Sequence, residues 1–141
     1  MARITYCVVM VVELNKVAYK TYFKRRKFGN TPKQYKGSIY HSTLEANYAA
    51  YLDMMKKAVN PRDRVIKWDR QVKVSLDVNG VHITNWFCDF RVWFADGRSE
   101  YHEVKGLESP EYKLKAKLFS ALYPKETLVI IKARDYKNLI S

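Results

Sequence analysis

Cysteine is scarce in this sequence, with Cys7 and Cys88 the only two. Two distant cysteines make neither a disulfide framework nor a zinc site. Both fall in apolar runs, so buried free thiols are expected, in keeping with a reducing cytoplasm. Histidine is thin as well: His41, His82 and His102 stand at no metal-ligand spacing. No apolar run nears membrane-spanning length. Ile4 to Val12, behind Arg3, is short, lacks a small-residue cleavage site and runs into Glu13, so it reads as a strand and not a secretion signal. Repeats and low-complexity tracts are absent. The last shortage is acid: 14 Asp and Glu against 26 Lys and Arg leave a net charge of +12. That imbalance points to a polyanionic partner, nucleic acid first, with a basic but merely solvated surface as the alternative.

What is present fits one α/β domain. The 141 residues are long enough to bury a core, and 48% are apolar. Residues 4–14 are apolar and β-branched, as in a buried strand, and 17–23 could pair with them. Lys16 to Lys36 holds eight Lys or Arg and no acid. Gly29-Asn30-Thr31-Pro32 breaks structure within it. Residues 24–37 are therefore expected to be a basic arm or loop, dividing an N-terminal part (1–36, with a β extension) from a core (37–141).

In the core, Leu44, Tyr48, Tyr51, Leu52 and Met55 lie on one helical face, which predicts a helix over 42–58 ended by Asn60-Pro61. Strands are expected at 64–68, 70–78, 81–94 and 98–105, with Asn79-Gly80 as a hairpin turn. Pro110 opens a helix to about Leu122, with Leu114, Leu118, Phe119 and Leu122 as its buried stripe. Residues 127–133 form a final strand which, after a helical crossover, pairs in parallel. The expected fold is a mixed central β-sheet flanked by helices.

Asp89 and the run Glu103-Val104-Lys105 carry the chemistry. Acids are disfavoured on strands, and two close carboxylates raise one another's pKa unless a cation lies between them. Glu103 and Lys105 share a strand face, about 7 Å apart. A three-residue loop with Gly97 in the left-handed conformation pairs Phe94 with Arg98, and counting back sets Asp89 opposite Glu103. A two-residue loop at Asp96-Gly97 would set Asp89 against Val104 and dissolve the site. Oxygen donors without His or Cys suit Mg²⁺ or Mn²⁺. The structural alternative is a set of cross-strand ion pairs of Asp89 or Glu103 with Lys105 or Arg91. Glu45 also has two roles open to it. Beside Leu44 at the helix start it could face the sheet edge, or it could close a Ser42-Thr43-Leu44-Glu45 capping box. His102 alternates with Glu103 and should face away.

Ser42-x-Leu44-Glu45 on a helix, Cys88-Asp89-Phe90 on a strand and Glu103-Val104-Lys105-Gly106 on the next strand resemble the PD-(D/E)xK nuclease superfamily. The order of elements is similar to that of small phage-type members, the junction-resolving phage endonuclease I group, and of transposon end-cutting nucleases. The resemblance spans roughly residues 37–133 and implies a restriction-endonuclease-like core. It implies that Asp89, Glu103 and the Val104 carbonyl hold metal, Mg²⁺ with Mn²⁺ able to substitute. It further implies that Lys105 is the catalytic lysine and that Glu45 serves a second metal or a metal-bound water. Gln71 stands where some members carry a polar residue. Cys88 replaces the motif's proline. The implied activity is phosphodiester hydrolysis in branched DNA, such as a Holliday junction, by a homodimer in the cytoplasm of a bacterium or of a phage-infected host. Lys24, Arg25, Arg26 and Lys27 among aromatics, and Lys113 and Lys117 on one helix face, suit backbone phosphates; solvated surface is the alternative for each. Two other functions compete: a non-catalytic nucleic-acid-binding module on the same fold, and a protein-interaction factor whose surface is basic for other reasons.

Overall fold

The computed structural model describes residues 33–106 and 108–139. The expected strands at 4–14 and 17–23, and Lys24 to Lys27, lie outside them. The first elements are β1 (Lys33–Tyr35) and β2 (Ser38–Tyr40), a separate two-stranded hairpin. Its turn, Lys36-Gly37, has φ of 46° and 79°, both left-handed as a two-residue hairpin loop requires. The basic arm expected over 24–37 thus gives way to strand from Lys33, and the division at residue 36 falls inside a turn. Tertiary contacts hold the hairpin. Tyr35 OH donates to Asp53 Oδ2 (2.9 Å) and Lys36 pairs with the same carboxylate (2.9 Å).

Helix α1 (Thr43–Met55) follows, with Ser42 as its N-cap. Next come β3 (Val65–Val78) and β4 (Val81–Phe94), joined at Asn79-Gly80 with φ of 50° and 78°. Residues 64–68 and 70–78, expected as two strands, are one long strand. Then come β5 (Ser99–Lys105), α2 (Pro110–Leu122), β6 (Thr127–Lys132) and α3 (Ala133–Leu139). The main sheet has the order β3-β4-β5-β6, antiparallel except for the parallel β5–β6 pair. The protein is α/β, with a four-stranded mixed sheet between helices.

Two apolar clusters fill the layers. Tyr48, Tyr51 and Leu52 of α1 pack with Phe90, Val92, Val104, Val129 and Ile131. Tyr112, Ala116 and Phe119 of α2 pack with Val74, Trp86, Tyr101, Leu128 and Ile130. Strand β6 is buried on both faces, which explains its continuous apolar run. Leu114, expected in the buried stripe of α2, is 60% exposed, and Tyr112 and Ala116 take that place. Among the described residues no helix is long and apolar enough to cross a membrane.

The alternation of faces breaks at one level of the sheet. On β4, Trp86 and Cys88 pack with α2, but Phe90 and Val92, of the same parity, pack with α1. On β3, Trp68 packs with the α1 cluster, while Val72 and Val74 pack with the α2 cluster. Regular pleating would keep each set on one face. The change falls at Asp89 and at Gln71, whose φ of 50° is left-handed in the middle of a strand. Plain alternation would put Phe87, Asp89, Arg91 and Trp93 on one face, and that face is broken there. Phe87 is exposed, while Arg91 bonds Tyr101 on the α2 side.

Candidate active site

The β4–β5 turn fixes the position of the acids. Phe94 N–H donates to Arg98 O (2.9 Å), Gly97 N–H donates to Phe94 O (3.1 Å), and Gly97 has φ of 91°. The register then runs Trp93 with Ser99 and Phe90 with His102, which sets Asp89 level with Glu103. Backbone pairing stops at Phe90 and His102, and side chains take over. Asp89 N–H donates to Glu103 Oε2 (3.1 Å), and Val104 N–H donates to Asp89 Oδ2 (2.9 Å). Each acid therefore supplies the acceptor that the opposite backbone lacks.

The remaining oxygens are also engaged. Gln71 Nε2 donates to Asp89 Oδ1 (3.2 Å), and Lys105 Nζ pairs with Glu103 Oε1 (2.8 Å). Asp89 is 8% exposed and Glu103 2%. Burial, then the charge of Glu103, push the Asp89 carboxyl up to about 7, against the donation from Val104 N–H. Burial alone would lower Lys105. The hydrogen bond and charge of Glu103, helped by Asp89 and Glu45, outweigh it and hold the ammonium above its ordinary range.

Glu45 stands in the first turn of α1. Ser42 Oγ accepts from Glu45 N–H (3.1 Å), and the Ser42 hydroxyl donates to Glu45 Oε1 (3.2 Å). The cap therefore forms through the hydroxyl. The charge of Glu45 still reaches the pair, raising both Asp89 and Lys105. Capping and proximity to the site coexist in one carboxylate.

Asp89, Glu103, Val104 and Lys105 come together, with Glu45 acting on them. Lys113 and Lys117 lie exposed on α2. Arg91, a possible partner of the acids, instead bonds Tyr101 OH (2.8 Å) and Ser99 Oγ (3.5 Å) and approaches Glu126. His102 faces away into the α1 layer, with Tyr48 OH 2.8 Å from Nδ1 and Glu100 Oε2 2.9 Å from Nε2. The Cys88 thiol is buried, pushed up by that burial, and donates to the Phe90 and His102 carbonyls. The charges of Glu103 and Asp89, close by, push the thiol in the same direction.

Gln71 is placed by the resemblance alone, and the sequence offers no sign of Tyr112, whose ring lies 4.8 Å from Lys105 Nζ. Gln71 could have been found by counting along the β3–β4 hairpin. From a two-residue turn alone, however, the count places it opposite Cys88. The register shift between Leu76 and Asp77 moves the facing residue to Asp89.

Among the described residues, no three His, Cys, Asp or Glu side chains form a ready-made metal cage. The donor set is the close acid pair, with Glu45 nearby. Its fit to a hard divalent cation rests on charge. Three carboxylates face one ammonium, and burial already drives Asp89 toward its neutral form. A strand residue sends its N–H and C=O to the same side. The Val104 carbonyl thus lies on the side from which its N–H bonds Asp89, and the set is all oxygen.

A model of a family of proteins of unknown function, DUF1064, matches residues 25–138. The chain belongs to the DUF1064 family. No curated protein and no solved structure matches this DUF1064 chain.

Proposed function

We propose that this DUF1064 protein is a metal-dependent DNA endonuclease, with Mg²⁺ as cofactor and Mn²⁺ able to replace it. The observation that carries this is the reciprocal pair Asp89–Glu103, buried beside Lys105 at the point where β4 and β5 part. Asp89, Glu103 and the Val104 carbonyl would hold the cation, with Glu45 toward a second cation or its water. When bound, such a cation polarises a phosphoryl oxygen and lowers the pKa of a water. Without it, burial and the charge of Glu103 hold the Asp89 carboxyl up to about 7, and an arriving cation would favour its ionised form. Lys105 stays protonated, so its role is to stabilise the negative charge that grows on the phosphoryl group, or to orient water, and not to act as a base. The net +12 supports DNA as the polyanion. Lys113 and Lys117, with Lys24 to Lys27, are the proposed phosphate contacts. Selectivity for branched DNA, action as a homodimer and residence in the cytoplasm of a bacterium or of a phage-infected host complete the proposal.

The test is incubation of four-way junction, flap, transposon-end and linear duplex DNA with Mg²⁺ or Mn²⁺. Cutting is expected for the wild type. Lys105→Ala should be at least a hundredfold slower. Intact substrates throughout, or equal cutting by Lys105→Ala, would refute the proposal.

A binding-only role is favoured by one observation. Every carboxylate oxygen of Asp89 and Glu103 already has a partner within the protein. That role predicts salt-sensitive DNA binding with no calorimetric Mg²⁺ or Mn²⁺ site, whereas the nuclease predicts a site that Asp89→Ala removes.

A further inference from the structure

Tyr112 of α2 is buried, yet its hydroxyl has no hydrogen-bond partner. A buried hydroxyl left unpaired contributes nothing favourable, so the contacts of Tyr112 are those of its ring. The start of the helix fixes the ring in place. Ser109 caps α2 by accepting from Tyr112 N–H (3.1 Å), and Pro110 presets the first turn. The ring face then meets Lys105, whose Nζ stands 4.8 Å from the ring centroid and 2.8 Å from Glu103 Oε1. An ammonium over an aromatic face is attracted by the ring quadrupole, more strongly as it is desolvated. Lys105 has a long, flexible stem, and Glu103 alone fixes only one direction from it.

We infer that Tyr112 is a positioning residue for Lys105: its ring and the Glu103 carboxylate hold the ammonium from two sides, so that it points to where the phosphoryl charge would develop. The ring does this work, and the hydroxyl does not. The clamp depends on two ends of the fold meeting, the last residue of β5 and the first turn of α2. Its activity consequence rests on the nuclease reading. The clamp itself does not.

The experiment compares wild type, Tyr112→Phe, Tyr112→Leu and Tyr112→Met, with two readouts. The first is the proton shift of the Lys105 ε-methylene in protein carrying isotope-labelled lysine, assigned by its loss in Lys105→Arg. The ring current moves it upfield in wild type and in Tyr112→Phe, and it returns to the exposed-lysine position in Tyr112→Leu and Tyr112→Met. The second is DNA cleavage. kcat falls about ten- to a hundredfold in the Leu and Met variants with KM within about twofold, and Tyr112→Phe restores it. Tyr112→Met has a flexible apolar side chain that adapts to the gap without a π face, so it replaces Tyr112→Leu should that variant fail to fold. An unshifted Lys105 signal in wild type, or a loss in Tyr112→Phe as large as in Tyr112→Met, overturns the inference. If wild type cuts no DNA, the nuclease proposal falls, while the shift still decides the clamp.

Discussion

Gln71 has a backbone that an L-residue adopts only at a cost, and a side chain that holds Asp89. These two contributions can be separated by substitution. Gln71→Ala keeps the left-handed backbone and loses the bond. Gln71→Gly loses the bond but relieves the backbone. The bond runs to a largely buried carboxylate, so its loss costs about 1.5–3 kcal/mol in either variant. The left-handed conformation costs an L-residue about 1–2 kcal/mol. Glycine recovers that and gives back about 0.5–1 kcal/mol through its freer unfolded chain. Gln71→Gly should therefore be more stable than Gln71→Ala by about 0.5–1 kcal/mol, the reverse of the usual order inside a strand. Urea unfolding with equal m-values measures the difference. On the proposed nuclease function, both variants should cut DNA equally poorly, since both free Asp89 Oδ1. An alanine variant as stable as the glycine variant, or more so, would refute the strain reasoning.

Asp89 binds protons more tightly when folded, about 7 against an ordinary 3.8, so stability from this group falls as pH rises from about 4 to about 7 and is flat above. The upper bound is about 4 kcal/mol; Asp89→Asn should flatten the slope in pH-dependent melting, and Mg²⁺ should raise Tm more at pH 8 than at pH 5. Asp53 is the opposite case. Burial would raise it, but Lys36, Lys56, Tyr35 and Trp68 outweigh that and hold it well below its ordinary range. Its contribution is complete above about pH 4 and disappears as pH falls through the depressed value. Asp53→Asn should cost about 2 kcal/mol and speed proteolysis of the β1–β2 hairpin. An added Cβ at Gly97 meets nothing within 4 Å, so Gly97→Ala should cost only its conformational strain, about 1–2 kcal/mol, with faster amide exchange at Phe94.

Much of the site was legible because turn chemistry is local. Asn79-Gly80 announces its hairpin, and Gly97 fixes the register that levels Asp89 with Glu103. The parallel pairing of β6 follows from a helix-length crossover. Other features depend on distant partners. Lys36 is an unusual left-handed turn residue, and the β1–β2 hairpin exists because Asp53, seventeen positions on, gathers Tyr35 and Lys36. Leu114 looks like core by spacing, but the face of α2 that meets the sheet is set by Tyr112, Ala116 and Phe119. The change of face at Gln71 and Asp89 has no local signature, since neither residue type announces a break in pleating.

The point where β4 and β5 part has a consequence for how a ligand would enter. Asp89 and Glu103 offer about four lone-pair sites each, and each spends one on a backbone N–H. A cation can take the unused lone pairs without displacing either backbone donor. Loading would then leave the two strands as they are, and the amides of Asp89 and Val104 would stay protected throughout. The sheet would act as a rigid jaw whose grip does not depend on what it holds.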